Sequence, residues 1–390
     1  MNKKHLSNNK FILLLTIVNF VFSLFSYSFY YLFDSGYPLV EFMVAPVGRL
    51  DDFYNSLYYP GDSLVFTKAN FTLFPFSVLI YKFFSFQSVH LAAVIFFALN
   101  IIFFVYAIQK LTKNYLLIIL IVSSYPFLFT LARGNNEILL VALGVLCYTY
   151  IIQKKYKSSF VCILIQFLVE PFPTYALQFV PYLKKIKNIA AFFAISGFLI
   201  IFMMQFNSYT KQYLNELMSE AILYSSSLGP GTTLHTSSLS GTFQYIYFVL
   251  NDVFPYEHSS FTIFTRVLFI SGLLGVFSFI YHYRTKIDLI TSSLLIISSY
   301  TLLFAVTFDY RLLHFVIPLS LLLMKELRKI DILLCFSLIF LFVPKPFILI
   351  TSTNNSIGET FGSIINPLVI VFIIMLTLIR FFRYQSTVKN

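Results

Sequence analysis

The sequence predicts an all-α fold, a polytopic integral membrane bundle of about 12 transmembrane helices with two large outer loops. Three observations carry this. The mean hydropathy is +0.81, with 58% hydrophobic and 11% charged residues, far from the balance of a water-soluble domain. Apolar runs long enough to span a bilayer recur along the whole chain. The charges also segregate by sign between the runs. The basic clusters are Lys3/Lys4/Lys10, Lys110/Lys113, Lys154/Lys155/Lys157, Lys184/Lys185/Lys187, Arg284/Lys286, Lys325/Arg328/Lys329 and Arg380/Arg383/Lys389. They hold 19 of the 27 Lys and Arg residues, and alternate gaps hold 13 of the 16 acids. Cytoplasmic loops carry the excess of Lys and Arg, so the basic gaps mark the inside and the acidic gaps the outside.

The elements follow in order. The first run, 11–33, follows a basic N-terminus, lacks a small-residue cleavage site and reads as an uncleaved first helix. Further spans are expected at 89–109, 115–132, 138–152, 158–169, 173–183, 188–206, 263–282, 287–307, 311–324, 331–348 and 363–381. With the N-terminus inside, this order places every basic cluster inside. One apolar stretch, from Phe71 to Phe86, must then not cross. It is short and carries Pro75 and Lys82, so it is expected to lie on the outer surface or to re-enter the membrane. The outer loops run from about 34 to 90 and from about 207 to 262, and the other outer gaps are tight. No repeat and no appended soluble domain is visible, so residues 1–390 read as one membrane unit.

The net charge of +11 would suggest nucleic acid in a soluble protein. Here the basic residues are scattered over many loops, so no nucleic-acid partner is expected and anionic membrane lipids are the natural counter-charge. Cys147, Cys162 and Cys335 lie in apolar stretches with no metal or disulfide spacing. Tyr is abundant and Trp absent, so Tyr supplies the interfacial belt.

Chemistry is sought on the acidic side. Asp51 and Asp52 lie in the first loop. Adjacent carboxylates repel and burial raises their pKa, which poises one as a proton acceptor; the alternative is a solvated loop acid or a helix N-cap. Arg133-Gly-Asn-Asn-Glu137 sits between two short spans. Arg133 pairs with Glu137 one turn on, or offers its fork to a phosphate. Glu170-Pro-Phe-Pro173 breaks an apolar region, either at a wet cavity or in a simple tight turn. Asp309-Tyr-Arg311 and His314 open a late span, and Lys345 stands between two prolines. These three cations either bind an anionic headgroup or snorkel. His235 lies in a hydroxyl-rich stretch of the second loop and titrates near neutral pH.

Taken together, several stretches resemble glycosyltransferase family 87. They are Ala132-Arg-Gly-Asn-Asn-Glu-Ile-Leu-Leu140, Gln153-Lys-Lys-Tyr-Lys157, Glu170-Pro-Phe-Pro173 and Pro181-Tyr-Leu-Lys-Lys185. Asp52-Phe-Tyr54 resembles the family's motif after the first span. His235-Thr-Ser-Ser-Leu-Ser-Gly241 resembles its later loop, and Asp309-Tyr-Arg-Leu-Leu313 a late-span motif of related bacterial sequences. The match is loose and touches most of the chain. It implies a GT-C-like enzyme of the bacterial cytoplasmic membrane with both termini cytoplasmic. Such an enzyme moves mannose or another hexose from a polyprenyl phosphate to a lipid or glycan acceptor on the outer side, with inversion and without cofactor or metal. By this resemblance Asp52 is the general base and Asp51 the reserve. Arg133 and Arg311, with His314 and Lys345, are candidates for the donor phosphate. Asn135, Asn136, Glu137, Glu170 and His235 are candidates for substrate contact. Glu170 departs from the family, which often has Lys there. A polysaccharide polymerase or a flippase of lipid-linked glycans would share the same general plan.

Overall fold

The computed structural model describes residues 3–33, 53, 77, 80–81, 83–84, 88–170, 194–195, 197–198, 258–303, 309–345, 347–351, 356–360 and 362–388. In chain order they form α1 (Lys3–Phe33), α2 (Val89–Thr112), α3 (Tyr115–Val122), α4 (Tyr125–Arg133), α5 (Glu137–Ile152) and α6 (Tyr156–Val169). Then come α7 (His258–His282), α8 (Leu289–Leu303), a 3-10 helix (Asp309–Phe315), α9 (Val316–Leu323) and α10 (Lys329–Phe342). The chain closes with strands β1 (Phe347–Thr351) and β2 (Ser356–Thr360) and helix α11 (Gly362–Val388). The structure is therefore helical, as expected, apart from one antiparallel hairpin in which Phe347 faces Thr360 and Thr351 faces Ser356. Among the described residues two helical segments, Leu91–Thr112 and Ile364–Tyr384, are long and apolar enough to cross a membrane.

Several expected spans have different bounds, each for a local reason. The run 115–132 is two helices. Ser123 and Ser124 turn their hydroxyls onto the carbonyls of Leu120 and Ile121 and end α3. The Ser124 carbonyl then accepts from Leu128 to start α4, whose early Pro126 has no N–H to satisfy. The run 331–348 stops as a helix at Phe342. Val343 is extended, as a residue before proline prefers, and the β-favouring Phe-Ile-Leu-Ile-Thr that follows forms β1. The run 311–324 opens as a 3-10 helix. The second outer loop ends earlier than expected, since α7 begins at His258. Spans 173–183 and most of 188–206 lie outside the described residues.

The chain packs into two compact units, each assembled from discontinuous segments. One comprises Met1–Val44, Asn114–Phe129 and Ser225–Asn390; the other Ala45–Lys113 and Thr130–Tyr224. At the heart of the first unit is α8, in which every residue from Ile290 to Leu302 is buried. Around it pack α7, α9 and α11. Such a helix needs no polar face, and its hydroxyls largely bond back along the helix, as Ser293 does to Ile290 and Thr301 to Ile297. Helix α1 packs on α3 and α10. Asn114 caps α3 by accepting from the N–H groups of Leu116 and Leu117, and it donates to Asn9 of α1 at 2.9 Å.

The second unit is built on α5, which packs against α2 and α6. Helices α5 and α6 form a hairpin. Lys154 takes a left-handed φ of 58° at the turn, while the N–H groups of Lys154 and Lys155 return to Ile151 and Tyr150. Cys147 meets Ser159 at 3.2 Å, and Gln166 donates to the Leu140 carbonyl at 2.8 Å. The helices are thus antiparallel and in register, and the same register sets Glu137 level with Val169.

Candidate functional site

The Arg133–Glu137 segment is first a piece of turn chemistry. Gly134 has a φ of 68°, in the left-handed region where a side chain is strained. Its N–H returns to Leu131 and that of Asn135 to Thr130, the paired bonds of a Schellman stop. The Asn135 side-chain Oδ1 then accepts from the Glu137 N–H at 2.9 Å and starts α5. Asn136, 2% exposed, donates to the Ser77 hydroxyl at 3.2 Å. Ser77 donates onward to the Val169 carbonyl at 2.6 Å. The Tyr81 hydroxyl donates to the Gly134 carbonyl at 3.3 Å.

This end of the second unit therefore gathers the start of α5, the end of α6, and Phe53, Ser77 and Tyr81 from the stretch 34–90. Phe53, which follows Asp52 in the chain, is fully buried against Tyr81 and Phe96, with ring centroids 6.0 and 5.0 Å away. Of the stretch 71–86, Ser77, Tyr81 and Phe84 are buried in the core and Phe83 is exposed. Glu137 is fully buried, whereas Arg133 and Glu170 are half-buried. The hairpin register brings Glu137 and Glu170 to the same end, one turn beyond the buried Gln166–Leu140 bond. The sequence marked Arg133, Asn135, Asn136, Glu137 and Glu170, and the structure groups them. It marked Phe53 only within the Asp52-Phe-Tyr54 motif and did not mark Ser77 or Tyr81, whose importance depends on contacts distant in sequence.

A second cluster lies in the first unit. Arg311 and His314 are three apart in a 3-10 helix, where such residues eclipse. Both turn to Tyr300 of α8, the guanidinium 5.4 Å from its ring centroid and the imidazole edge-on at 6.3 Å. Arg311 is 7% and His314 2% exposed, so this is a desolvated cationic corner. Lys345 is elsewhere in its contacts. Its ammonium donates to the Phe340 carbonyl in the last turn of α10 and lies 5.0 Å from the Phe340 ring. That is the role of a cation closing a helix C-terminus. Asp51, Asp52 and His235 lie outside the described residues. Among the described residues no three His, Cys, Asp or Glu side chains stand together as metal ligands.

The most complete charge network involves residues that the sequence reading set aside. Arg380 of α11, its side chain 3% exposed, donates from Nε to Asp331 at 2.8 Å and from both Nη atoms to Asp288 at 2.9 and 2.8 Å. Thr291 accepts from the same guanidinium at 2.7 Å. Asp331 also accepts from the Arg328 N–H and the Tyr384 hydroxyl. Asp288 stands just before α8. Burial raises its pKa, but the hydrogen bonds and charge of Arg380, helped by Thr291, outweigh this and hold it at about 2. Asp288 and Asp331, which with Glu326 are the three acids lying beside basic clusters in the sequence, thus neutralise one buried arginine.

No protein-family model, curated protein or solved structure matches this chain.

Proposed function

We propose that the protein is a polytopic membrane glycosyltransferase of GT-C type, moving mannose or another hexose from a polyprenyl phosphate to a lipid-linked or envelope glycan acceptor. The single observation that carries this reading is the packed end of the second unit. There Phe53 and Tyr81 of the first outer loop join the Arg133–Glu137 turn and the end of α6. Phe53 and the Arg133–Glu137 turn belong to stretches on which the resemblance rests. In support of the membrane setting, helices of both units carry large apolar side chains on exposed as well as buried faces, such as Val94 and Ile102 of α2 and Leu14 and Ile17 of α1. Contacts at Asn9–Asn114 and Arg380–Asp288–Asp331 join helix ends that the charge rule assigns to one side.

In this reading Asp52, with Asp51 in reserve, takes the proton of the acceptor hydroxyl. The hydroxyl oxygen attacks the anomeric carbon from the face opposite the phosphate, and the bond from that carbon to the phosphate oxygen breaks with inversion. Arg133 or the Arg311–His314 corner holds the departing phosphate, whose charge a water-poor cationic site stabilises strongly. Glu137 and Glu170 accept hydrogen bonds from sugar hydroxyls, and His235 contacts substrate from the second loop. Asn135 and Asn136 shape the turn that presents Arg133. Lys345, held at the end of α10, is the weakest of the four phosphate candidates.

The test is sugar transfer in membrane vesicles supplied with labelled polyprenyl-phosphate mannose, comparing the native chain with Asp52→Asn at equal expression. Transfer by the native protein should fall at least about a hundredfold in the variant, the usual scale for losing a general base. Transfer that survives would move the base to Asp51. Failure with every polyprenyl-phosphate hexose would reject the reading in favour of a polymerase or a flippase.

A further inference from the structure

Asn136 breaks a local rule. It is the N-cap residue of α5, yet its side chain makes no capping bond. Asn is among the best N-cap residues, and here the preceding Asn135 performs that task instead, through its Oδ1 and the Glu137 N–H. The Asn136 amide is spent on Ser77. The Val169 carbonyl is the counterpart at the other helix end. It is the last of α6 and so one of the four that a helix cannot satisfy within itself. The Ser77 hydroxyl donates to it. One buried hydroxyl therefore joins the start of one helix to the end of its antiparallel neighbour, and Ser77, Asn136 and Val169 are all at most 2% exposed. Tyr81, four residues on, holds the Gly134 carbonyl of the same turn. The chain thus grips that turn on both sides of Asn135.

The residues that follow the two gripped positions are Glu137 and Glu170, which the hairpin brings to one end of the unit. We infer that Ser77 is a positioning residue, fixing the gap between Glu137 and Glu170 so that their carboxylates meet two hydroxyls of one donor sugar ring. Two acceptors can serve one rigid ring only if their spacing is held, because a hydrogen bond weakens steeply once its atoms stand beyond about 3.2 Å. Bonds from hydroxyls to carboxylates are also the stronger, charge-assisted kind, so losing one is felt in affinity. Neither helix end would keep its place by local structure alone, since the N-cap amide and the terminal carbonyl both depend on Ser77. The phosphate of the donor falls to other groups, which separates the two halves of the substrate.

This inference rests on the transferase reading. The full chain in membrane vesicles would be given the labelled polyprenyl-phosphate hexose that the native protein transfers. Ser77→Ala should raise the KM for that donor about tenfold, the scale of one hydrogen bond to a charged group, and leave kcat within about twofold. Bare polyprenyl phosphate, which carries no sugar, should inhibit native protein and variant equally. Ser77→Cys, near in volume and a weak donor, should fall between the two, and it carries the test if the alanine variant does not accumulate. Ser159→Ala removes a buried bond elsewhere in the same hairpin and should leave the KM unmoved. An unchanged KM at position 77, inhibition by bare polyprenyl phosphate that weakens in step with the KM, or the same KM shift in Ser159→Ala would each overturn the assignment. A native chain that transfers no hexose would instead overturn the transferase reading beneath it.

Discussion

Gly134 shows how much a single residue decides. The bonds from Gly134 and Asn135 to α4 require a left-handed φ, and a Cβ in that conformation costs roughly 1–2 kcal/mol. Gly134→Ala should therefore lower the melting temperature by a few degrees. Because its carbonyl also accepts from Tyr81, the variant should loosen the Phe53–Tyr81 packing, read as faster hydrogen exchange at those amides. A variant with unchanged melting temperature and exchange would show that the turn tolerates another backbone conformation. At this scale the sequence was half legible. Gly and Asn at 134–136 announced a turn, because only their chemistry suits one. That Asn136 would find Ser77, 59 positions away, was not legible, since no local rule sets such a pairing.

Among the elements, the sharpest claim concerns the three helices tied by Arg380. Arg380→Met would leave Asp331, its side chain 4% exposed, as an uncompensated buried charge, a loss of about 3–5 kcal/mol. Asp331→Asn leaves Arg380 paired with Asp288 and should cost less. Asp288, whose side chain is 36% exposed, should matter less. Its dependence on pH has a definite sign. The folded-state pKa is held at about 2, below the ordinary 3.8, so the contribution is full above that ordinary value and fades as pH falls toward 2. The melting-temperature gap between native protein and Asp288→Asn should be constant near neutrality and close only in strong acid. A gap that closes near pH 6 would mean another group titrates. Element types were read well from apolar periodicity, and element ends poorly. The α3–α4 break and the β1–β2 hairpin follow from Ser123-Ser124 and from Pro344 and Pro346, whose local preferences an apolar average hides. Asp288 and Asp331 looked like exceptions because their partner is 92 and 49 residues away.

For the molecule as a whole, the membrane reading makes a sidedness claim that cysteine labelling can check. The three native cysteines are all buried, so they give little background. A single thiol at exposed Ser88 should react with an impermeant maleimide added outside cells. One at exposed Lys157 should react only after permeabilisation. Labelling of both from outside would sink the proposed order of spans. The division into two units was not legible along the chain. Each unit is stitched from separate segments, so no linker or composition shift marks a boundary.

The α5–α6 hairpin has a consequence for how the chain is made. Its two helices are joined by a three-residue turn, so its partners become available to each other almost as soon as they are synthesised and close a short loop at small entropic cost. Gln166 and Ser159, both costly to carry alone into hydrocarbon, already have bonds to Leu140 and Cys147 within the pair. On the proposed membrane setting, the hairpin is thus suited to leave the insertion machinery as one parcel, with the Gln166 amide N–H and the Ser159 hydroxyl already bonded before the later helices exist.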